Sequence, residues 1–209
     1  MKIICISDTH GQHGSTRLPE GDLLIHAGDI SSRGKPDEVA AFLRWFAGLP
    51  HRYKVFVGGN HDFFLEKEPT LFRAMIPRNC FYLEDSAVEI EGLTLWGSPV
   101  TPFFYNWAFN RRRGTDIRKH WDRIPAHTDI LITHGPPYGV LDQTARGEAA
   151  GCADLLQKIA DVQPRLHVFG HIHEACGKAE RDGTIFVNAC YLDLRYQPAH
   201  APVVVEWTV

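Results

Sequence analysis

The sequence predicts an α/β fold. Short apolar runs rich in Val, Ile and Leu recur along the chain, stretches of helical spacing lie between them, and the late runs follow one another with little helix in between. Strands alternating with helices indicate α/β organisation, and the closely spaced late strands point to a mixed sheet. The chain has 209 residues, 44% apolar and 22% charged, which excludes the low hydrophobicity of a disordered chain. Its length suits a single domain spanning 1–209.

The elements follow in order. Runs at 2–7, 22–27, 53–57, 129–133 and 166–169 read as buried strands, because each is a short apolar stretch bounded by Gly, Pro or Asp. Runs at 93–97, 184–188 and 203–207 add three more. Val88-Glu89-Ile90-Glu91 alternates like a half-exposed strand, and Gly92 offers a turn back to 93–97. Val39, Phe42, Leu43 and Phe46 follow i, i+3, i+4, i+7, with Pro36 near the start and Gly48 and Pro50 at the end, as in an amphipathic helix. Cys152, Leu155, Leu156 and Ile159 repeat the pattern before Pro164, and Ile117, Trp121 and Ile124 form a shorter stripe. Residues 99–114 are aromatic and basic and read as a long structured loop, while Trp45, Trp121 and Trp207 read as core.

Composition narrows the function classes. Lys and Arg total 22 against 25 Asp and Glu, a net charge of −3, which argues against a broad basic track for extended nucleic acid. No stretch approaches the roughly 20 apolar residues of a membrane span. The apolar run before Asp8 is too short for a secretory signal. Five scattered cysteines without a C-x-x-C pair argue against a thiolate zinc site and a disulfide framework. A cytoplasmic protein with reduced thiols is the expectation. Against five cysteines stand 12 histidines, and histidine is the commonest metal ligand.

Their placement carries the functional reading. Five of the strand runs are followed by Asp8-Thr9-His10, Gly28-Asp29, Gly58-Gly59-Asn60-His61-Asp62, His134-Gly135 and Gly170-His171-Ile172-His173. Ligands of open α/β sheets bind outside the carboxyl ends of the strands. An extended Asp8-x-His10 or His171-x-His173 points both side chains to one side. Oxygen and imidazole donors without thiolate suit manganese, iron, zinc, nickel or cobalt rather than an all-oxygen calcium cage. There are more donors than one ion needs. Two ions roughly 3.5–4 Å apart characteristically catalyse in-line displacement at phosphorus, with bridging solvent as the attacking hydroxide.

The same series, Asp8-x-His10, Gly28-Asp29, Gly59-Asn60-His61-Asp62, His134 and Gly170-His171-x-His173, resembles the calcineurin-like metallophosphoesterase superfamily. Trp107-Ala108-Phe109-Asn110, 132–137, Gly151-Cys152 and 167–174 resemble its metallophosphoesterase-domain-containing branch, of cyclic-nucleotide phosphodiesterase type. The resemblance implies a four-layer α/β/β/α sandwich of two mixed sheets flanked by helices. It implies one metal held by Asp8, His10, Asp29 and His173, and a second by Asp29, Asn60, His134 and His171, with Asp29 bridging. It implies that His61 faces the substrate and protonates the leaving oxygen while Asp62 orients that imidazole. The chain departs from the pattern at Ser32, where many superfamily phosphatases have Asp, so Arg33 lacks its usual partner. Both histidines of Gly-His-x-His are kept, which implies a complete site.

The expected substrate is a small phosphodiester, with a 2′,3′- or 3′,5′-cyclic nucleotide favoured. Arg33, Asn60, His61, Asn106 and Tyr138 are the expected substrate contacts. Asn110 is a further polar candidate, and the aromatics of 99–114 could stack on a base. A phosphomonoesterase or phosphoprotein phosphatase would use the same metal ligands. A nuclease and a nucleotide-binding module without turnover are the remaining alternatives. Oligomeric state is not legible.

Overall fold

The computed structural model describes residues 1–208. In chain order the elements are β1 (Lys2–Ile6), β2 (Leu23–His26), α1 (Pro36–Gly48), β3 (Tyr53–Phe56), α2 (Phe63–Lys67), α3 (Pro69–Met75), β4 (Phe81–Tyr82), β5 (Ser86–Ile90), β6 (Leu93–Ser98), β7 (Thr101–Pro102), β8 (Asn110–Arg111), α4 (Thr115–Trp121), β9 (Ile130–Thr133), α5 (Ala153–Val162), β10 (Leu166–Phe169), β11 (Gly177–Arg181), β12 (Thr184–Asn188) and β13 (Val203–Glu206). Two mixed sheets result. The first has the order β13-β1-β2-β3-β4 and the second β11-β12-β10-β9-β6-β5. Strands β1 to β4 run parallel, as do β6, β9, β10 and β12, and the antiparallel strands lie at the edges.

The two-residue period of a strand builds the layers. In β1, Ile3 and Cys5 belong to the core between the sheets, with Ile25, Val55, Ile130, Ile132, Leu166 and Val168. Ile4 and Ile6 point the other way, onto Val39, Phe42 and Phe46 of α1 and Phe72 of α3. In the second sheet, Leu131 and Phe169 face outward onto Ile117 and Trp121 of α4 and Leu155 and Ile159 of α5. The four-layer sandwich is therefore present. It also explains why the central strands are apolar without alternation, since both faces are covered. Burying each such side chain contributes about 1.5–3 kcal/mol before entropy is counted.

The anticipated strands and three helices form, most of them a residue shorter at an end. Ser7, Ala27 and Val57 fall just beyond their strands, at the turns that carry the polar residues. Residues 63–75, β4 and β11 were not anticipated. The loop 99–114 contains the short parallel pair β7–β8, with Thr101 opposite Asn110. Among the described residues all five cysteines are free, and no helix is long and apolar enough to cross a membrane.

The carboxyl ends of the parallel strands in both sheets meet at one edge of the sandwich. A bridge between Ser7, after β1, and Cys190, after β12, links the two sheets there. His134, after β9, donates its Nδ1–H to the Ala27 carbonyl after β2 (2.9 Å).

Candidate metal centre

Residues after β1, β2, β3, β9 and β10 converge at this edge. Asp8 and His134 are fully buried, and Asp29, Asn60, His10 and His173 are nearly so. His10 Nε2 lies 3.6 Å from Asp29 Oδ2 and 4.0 Å from Asp8 Oδ1. His173 Nε2 is 3.6 Å from Asp8 Oδ1 and 3.3 Å from His10 Nε2. His134 Nε2 is 3.4 Å from Asp29 Oδ2 and 2.9 Å from Asn60 Oδ1. The His171 ring packs edge-on against His134, with centroids 5.0 Å apart. All seven metal candidates read from the sequence thus lie together, Asn60 and His171 against His134. Asp8, His10 and Asp29 each fall in two donor groups whose atoms lie within 4.8 Å of one another, and His61 joins His10 and Asp29 in one of them.

The backbone is shaped for this. Asp8, His10, Asp29 and His171 all have φ between +42° and +71°. Such conformations cost non-glycine residues energy and gather at functional sites. Here they swing side chains inward where the strands end. Two glycines allow the close packing. A Cβ on Gly59 would strike Asp29, and one on Gly170 would strike Asp8 and Ser7.

Hydrogen bonds outside the cluster fix which atoms face inward. The Nδ1–H groups of His134 and His173 donate to the Ala27 and Leu192 carbonyls, at 2.9 Å each. Their Nε2 atoms are left toward the centre. Asp8 Oδ2 accepts from the His171 backbone N–H (3.0 Å) and the Cys190 thiol (3.2 Å). Asp8 Oδ1, equally buried, has no hydrogen-bond partner.

Lone pairs of Asp29 Oδ2, Asn60 Oδ1 and His134 Nε2 converge, as do those of Asp8 Oδ1, His10 and His173. Acceptors packed so closely in a buried site need positive charge between them. Without metal, a proton serves. Burial works against both charges of the Asp29–His134 pair, yet the pairing prevails. It holds the Asp29 carboxyl well below its usual range and lifts His134 to about 9. Burial lowers His10 to about 4 against the pull of Asp29 and Asp8, so its imidazole stays neutral and able to ligate. The residues present fit divalent cations.

His61 stands beside the cluster, half-buried. Its backbone N–H donates to Asp29 Oδ1 (2.8 Å) and its Nδ1–H to the Ser32 carbonyl (2.8 Å). The Trp107 ring lies over it, with centroids 4.4 Å apart. Asp62 corrects an expectation, because it does not orient the His61 ring. Its carboxylate accepts the N–H groups of Ile30 (3.1 Å), Ser31 (2.9 Å) and Gly59 (2.8 Å), and the Ser31 hydroxyl. It therefore ties the turn after β2 to the turn after β3. Burial, then the charge of Asp29, push Asp62 up to about 7 against these bonds.

A groove of about 460 Å³ opens over His10 and His61, lined also by Gln12, Ser32, Arg33, Phe63, Trp107 and Tyr196. Arg33, exposed, lines this groove and a second one beside Phe64 and Lys67. Asn106 is exposed and does not line it. Tyr138 lines a separate groove beside Glu174 and Cys176. Asn110 is committed internally, accepting from Phe104 N–H and donating to Thr101 Oγ1. Of the loop arginines, Arg111 pairs with Glu66 (3.3 Å) and Arg113 donates to the Ala150 and Gly151 carbonyls. Tyr196, whose ring packs edge-on against His10 at 4.8 Å, was missed. It lies outside every strand and motif that the sequence marks.

The two mixed sheets, flanked by helices, converge on a buried carboxylate–imidazole cluster whose donors fit divalent cations. Residues 1–175 match the calcineurin-like phosphoesterase family, and the chain belongs to it. It is similar to human metallophosphoesterase domain-containing protein 1, at 39% identity covering 98% of this chain and 70% of that one. A UPF0046 protein of Caenorhabditis elegans is 39% identical over 95% of this chain and 59% of its own length. Among solved structures, phosphopantetheinyl hydrolase from Mycobacterium tuberculosis matches with a TM-score of 0.65 at 15% identity, covering 93% of this chain and 90% of that one, a likeness of fold. The resemblance to the superfamily and to its metallophosphoesterase-domain-containing branch holds.

Proposed function

We propose that this chain is a two-metal phosphodiesterase acting on small phosphodiesters, cyclic nucleotides first among them. The observation that carries the reading is the convergence of seven candidate donors from five strand ends, with His61 beside His10 and Asp29. Asp8, His10, Asp29 and His173 would hold one cation. Asp29, Asn60, His134 and His171 would hold the other. Nitrogen and oxygen donors suit manganese or iron, with zinc, nickel and cobalt also compatible. Such ions make water nucleophilic near neutral pH and offset charge on phosphoryl oxygens.

The protein's own groups supply the rest. With Nδ1–H held by the Ser32 carbonyl, the ring of His61 is fixed and Nε2 is free to carry a second proton to the leaving oxygen. Arg33 on the rim suits a phosphate oxygen. Phe63, Trp107 and Tyr196 give the groove apolar walls, which suit an organic substituent on each side of a diester. Free thiols fit a reducing compartment, and we place the protein in the cytoplasm.

The test compares kcat/KM for bis(p-nitrophenyl) phosphate, cyclic nucleotides and p-nitrophenyl phosphate in manganese, before and after chelation. Diesters should be preferred, and activity should vanish on chelation and return with metal. Activity that survives complete metal removal sinks the reading. Preference for the monoester moves the assignment to a phosphomonoesterase.

A further inference from the structure

A buried cysteine is ordinarily a small apolar filler. Cys190 is placed differently. It follows β12, bridges to Ser7 beside Asp8, and brings Sγ within 3.2 Å of Asp8 Oδ2. A thiolate would be repelled by that carboxylate, so the contact is an S–H donating to oxygen. Asn188, fully buried two residues earlier, uses its whole amide. Oδ1 accepts the Cys190 N–H (3.2 Å), and Nδ2 donates to the Ile172 carbonyl (2.9 Å) and the Leu141 carbonyl (3.2 Å). Ile172 lies between His171 and His173. A continuous chain of hydrogen bonds thus runs from Asp8 through Cys190 and Asn188 to the turn that carries both histidines.

We infer that Cys190 is a positioning residue, its thiol selecting which oxygen of Asp8 faces the metal centre, while its backbone is anchored through Asn188 to the turn between His171 and His173. Two donors, the Cys190 thiol and the His171 N–H, engage Oδ2. Oδ1 is left buried, without a partner, and beside His173 and His10. A carboxylate with one oxygen fully engaged cannot rotate without stranding those donors. Its free lone pairs are aimed before any ion arrives. Partners that orient ligands in this way are worth about 10–100-fold in metal affinity.

The inference rests on the two-metal reading, and the experiment separates the two. Manganese binding to wild type, C190A and C190S is followed by equilibrium dialysis and electron paramagnetic resonance. The metal-free proteins are compared by circular dichroism and thermal unfolding. Wild type should bind two ions. C190A should keep one at wild-type affinity and bind the other about 10–100-fold more weakly. C190S, which restores a donor, should recover most of that loss. C190V fills the space without a donor and stands in for C190A if the latter fails to fold.

Equal affinity for both ions in wild type and C190A overturns the inference. So does equal weakening of both ions, or a C190S defect as large as that of C190A, which would make the effect one of packing. A thiolate-to-cobalt charge-transfer band in the cobalt-loaded wild type that disappears in C190S also overturns it, by making Cys190 a ligand. Failure of the wild type to bind any manganese refutes the two-metal reading itself.

Discussion

His61 and Asp62 are neighbours in the chain, yet their side chains belong to different structures. The His61 ring borders the groove, hydrogen-bonded to the Ser32 carbonyl and packed against the rings of Trp107 and His10. His61→Ala is expected to lower kcat by about 10²–10⁴, the usual worth of a positioned proton donor, with metal content unchanged. Metal loss matching the activity loss would instead make His61 a ligand. Asp62 accepts three backbone N–H groups inside the fold. Each buried donor left without a partner costs about 1–3 kcal/mol. Asp62→Ala should therefore cost about 3 kcal/mol or more in urea unfolding, and should loosen the turns bearing Asp29 and Asn60 so that metal binding weakens too. A variant of wild-type stability would show that water replaces the carboxylate. The family resemblance implied an imidazole–carboxylate pair here. It could not show that a turn reverses the chain there and sends the side chains to opposite sides.

At the scale of elements, legibility followed covalent pattern. Helix α1 was readable because Val39, Phe42, Leu43 and Phe46 line one face, and those are its four buried residues. The β5–β6 hairpin was readable from Gly92: Ile90 pairs with Leu93 across Glu91-Gly92, both with positive φ, as a type I′ turn requires. The β11–β12 hairpin has the same geometry at Asp182-Gly183, and Asp-Gly was a usable signal. It was missed because Gly177–Arg181 is a polar edge strand with no apolar alternation to attract notice. Residues 63–75 escaped because Glu68 and Pro69 divide them into helices too short to show a period. The 99–114 loop held its aromatics, but sequence could not distinguish buried Phe109 from exposed Phe103, Phe104 and Tyr105. The helical layer offers a direct test. Phe42 is fully buried, its ring 5.1 Å from Phe46, 5.5 Å from Phe56 and 5.0 Å from His26. Phe42→Ala should cost about 3–5 kcal/mol, read as a lower denaturant midpoint at unchanged slope. A loss under 1 kcal/mol would mean that the layer collapses to fill the space.

The whole molecule brings together what lies far apart in the chain: Asp8 accepts a hydrogen bond from the backbone of His171, 163 positions away. Order along the sequence marked out the candidate ligands because each strand ends where its polar residue begins, but only packing of the two sheets brings them together. Metal that joins residues of both sheets should stabilise the sandwich. Saturation at one hundred times Kd adds about 2.7 kcal/mol per ion, so chelation should lower Tm and manganese restore it in a concentration-dependent way. A Tm indifferent to manganese would place the ions outside this cluster. A second global property comes from His167, in the middle of the second sheet and away from the cluster. Burial holds its imidazole down to about 3. The Thr133 hydroxyl donates to the Gly135 carbonyl (2.7 Å) and so accepts Nε2–H of His167 (2.8 Å). Its Nδ1 is buried without a partner, so a second proton there would have no acceptor. In the unfolded chain the same group titrates near 6.5, roughly the value for free histidine. Above that pH both states are neutral and the residue adds no pH dependence. Between there and the folded value, the unfolded chain takes up a proton that the fold refuses, and stability falls by about 1.4 kcal/mol per pH unit. His167→Gln keeps a donor toward Thr133 and removes the titration. Urea unfolding of wild type and variant at pH 7.5 and pH 5 should show the wild type losing about 2 kcal/mol more than the variant over that interval. Equal losses would mean that His167 protonates in the folded protein, and that the sheet opens there to admit water.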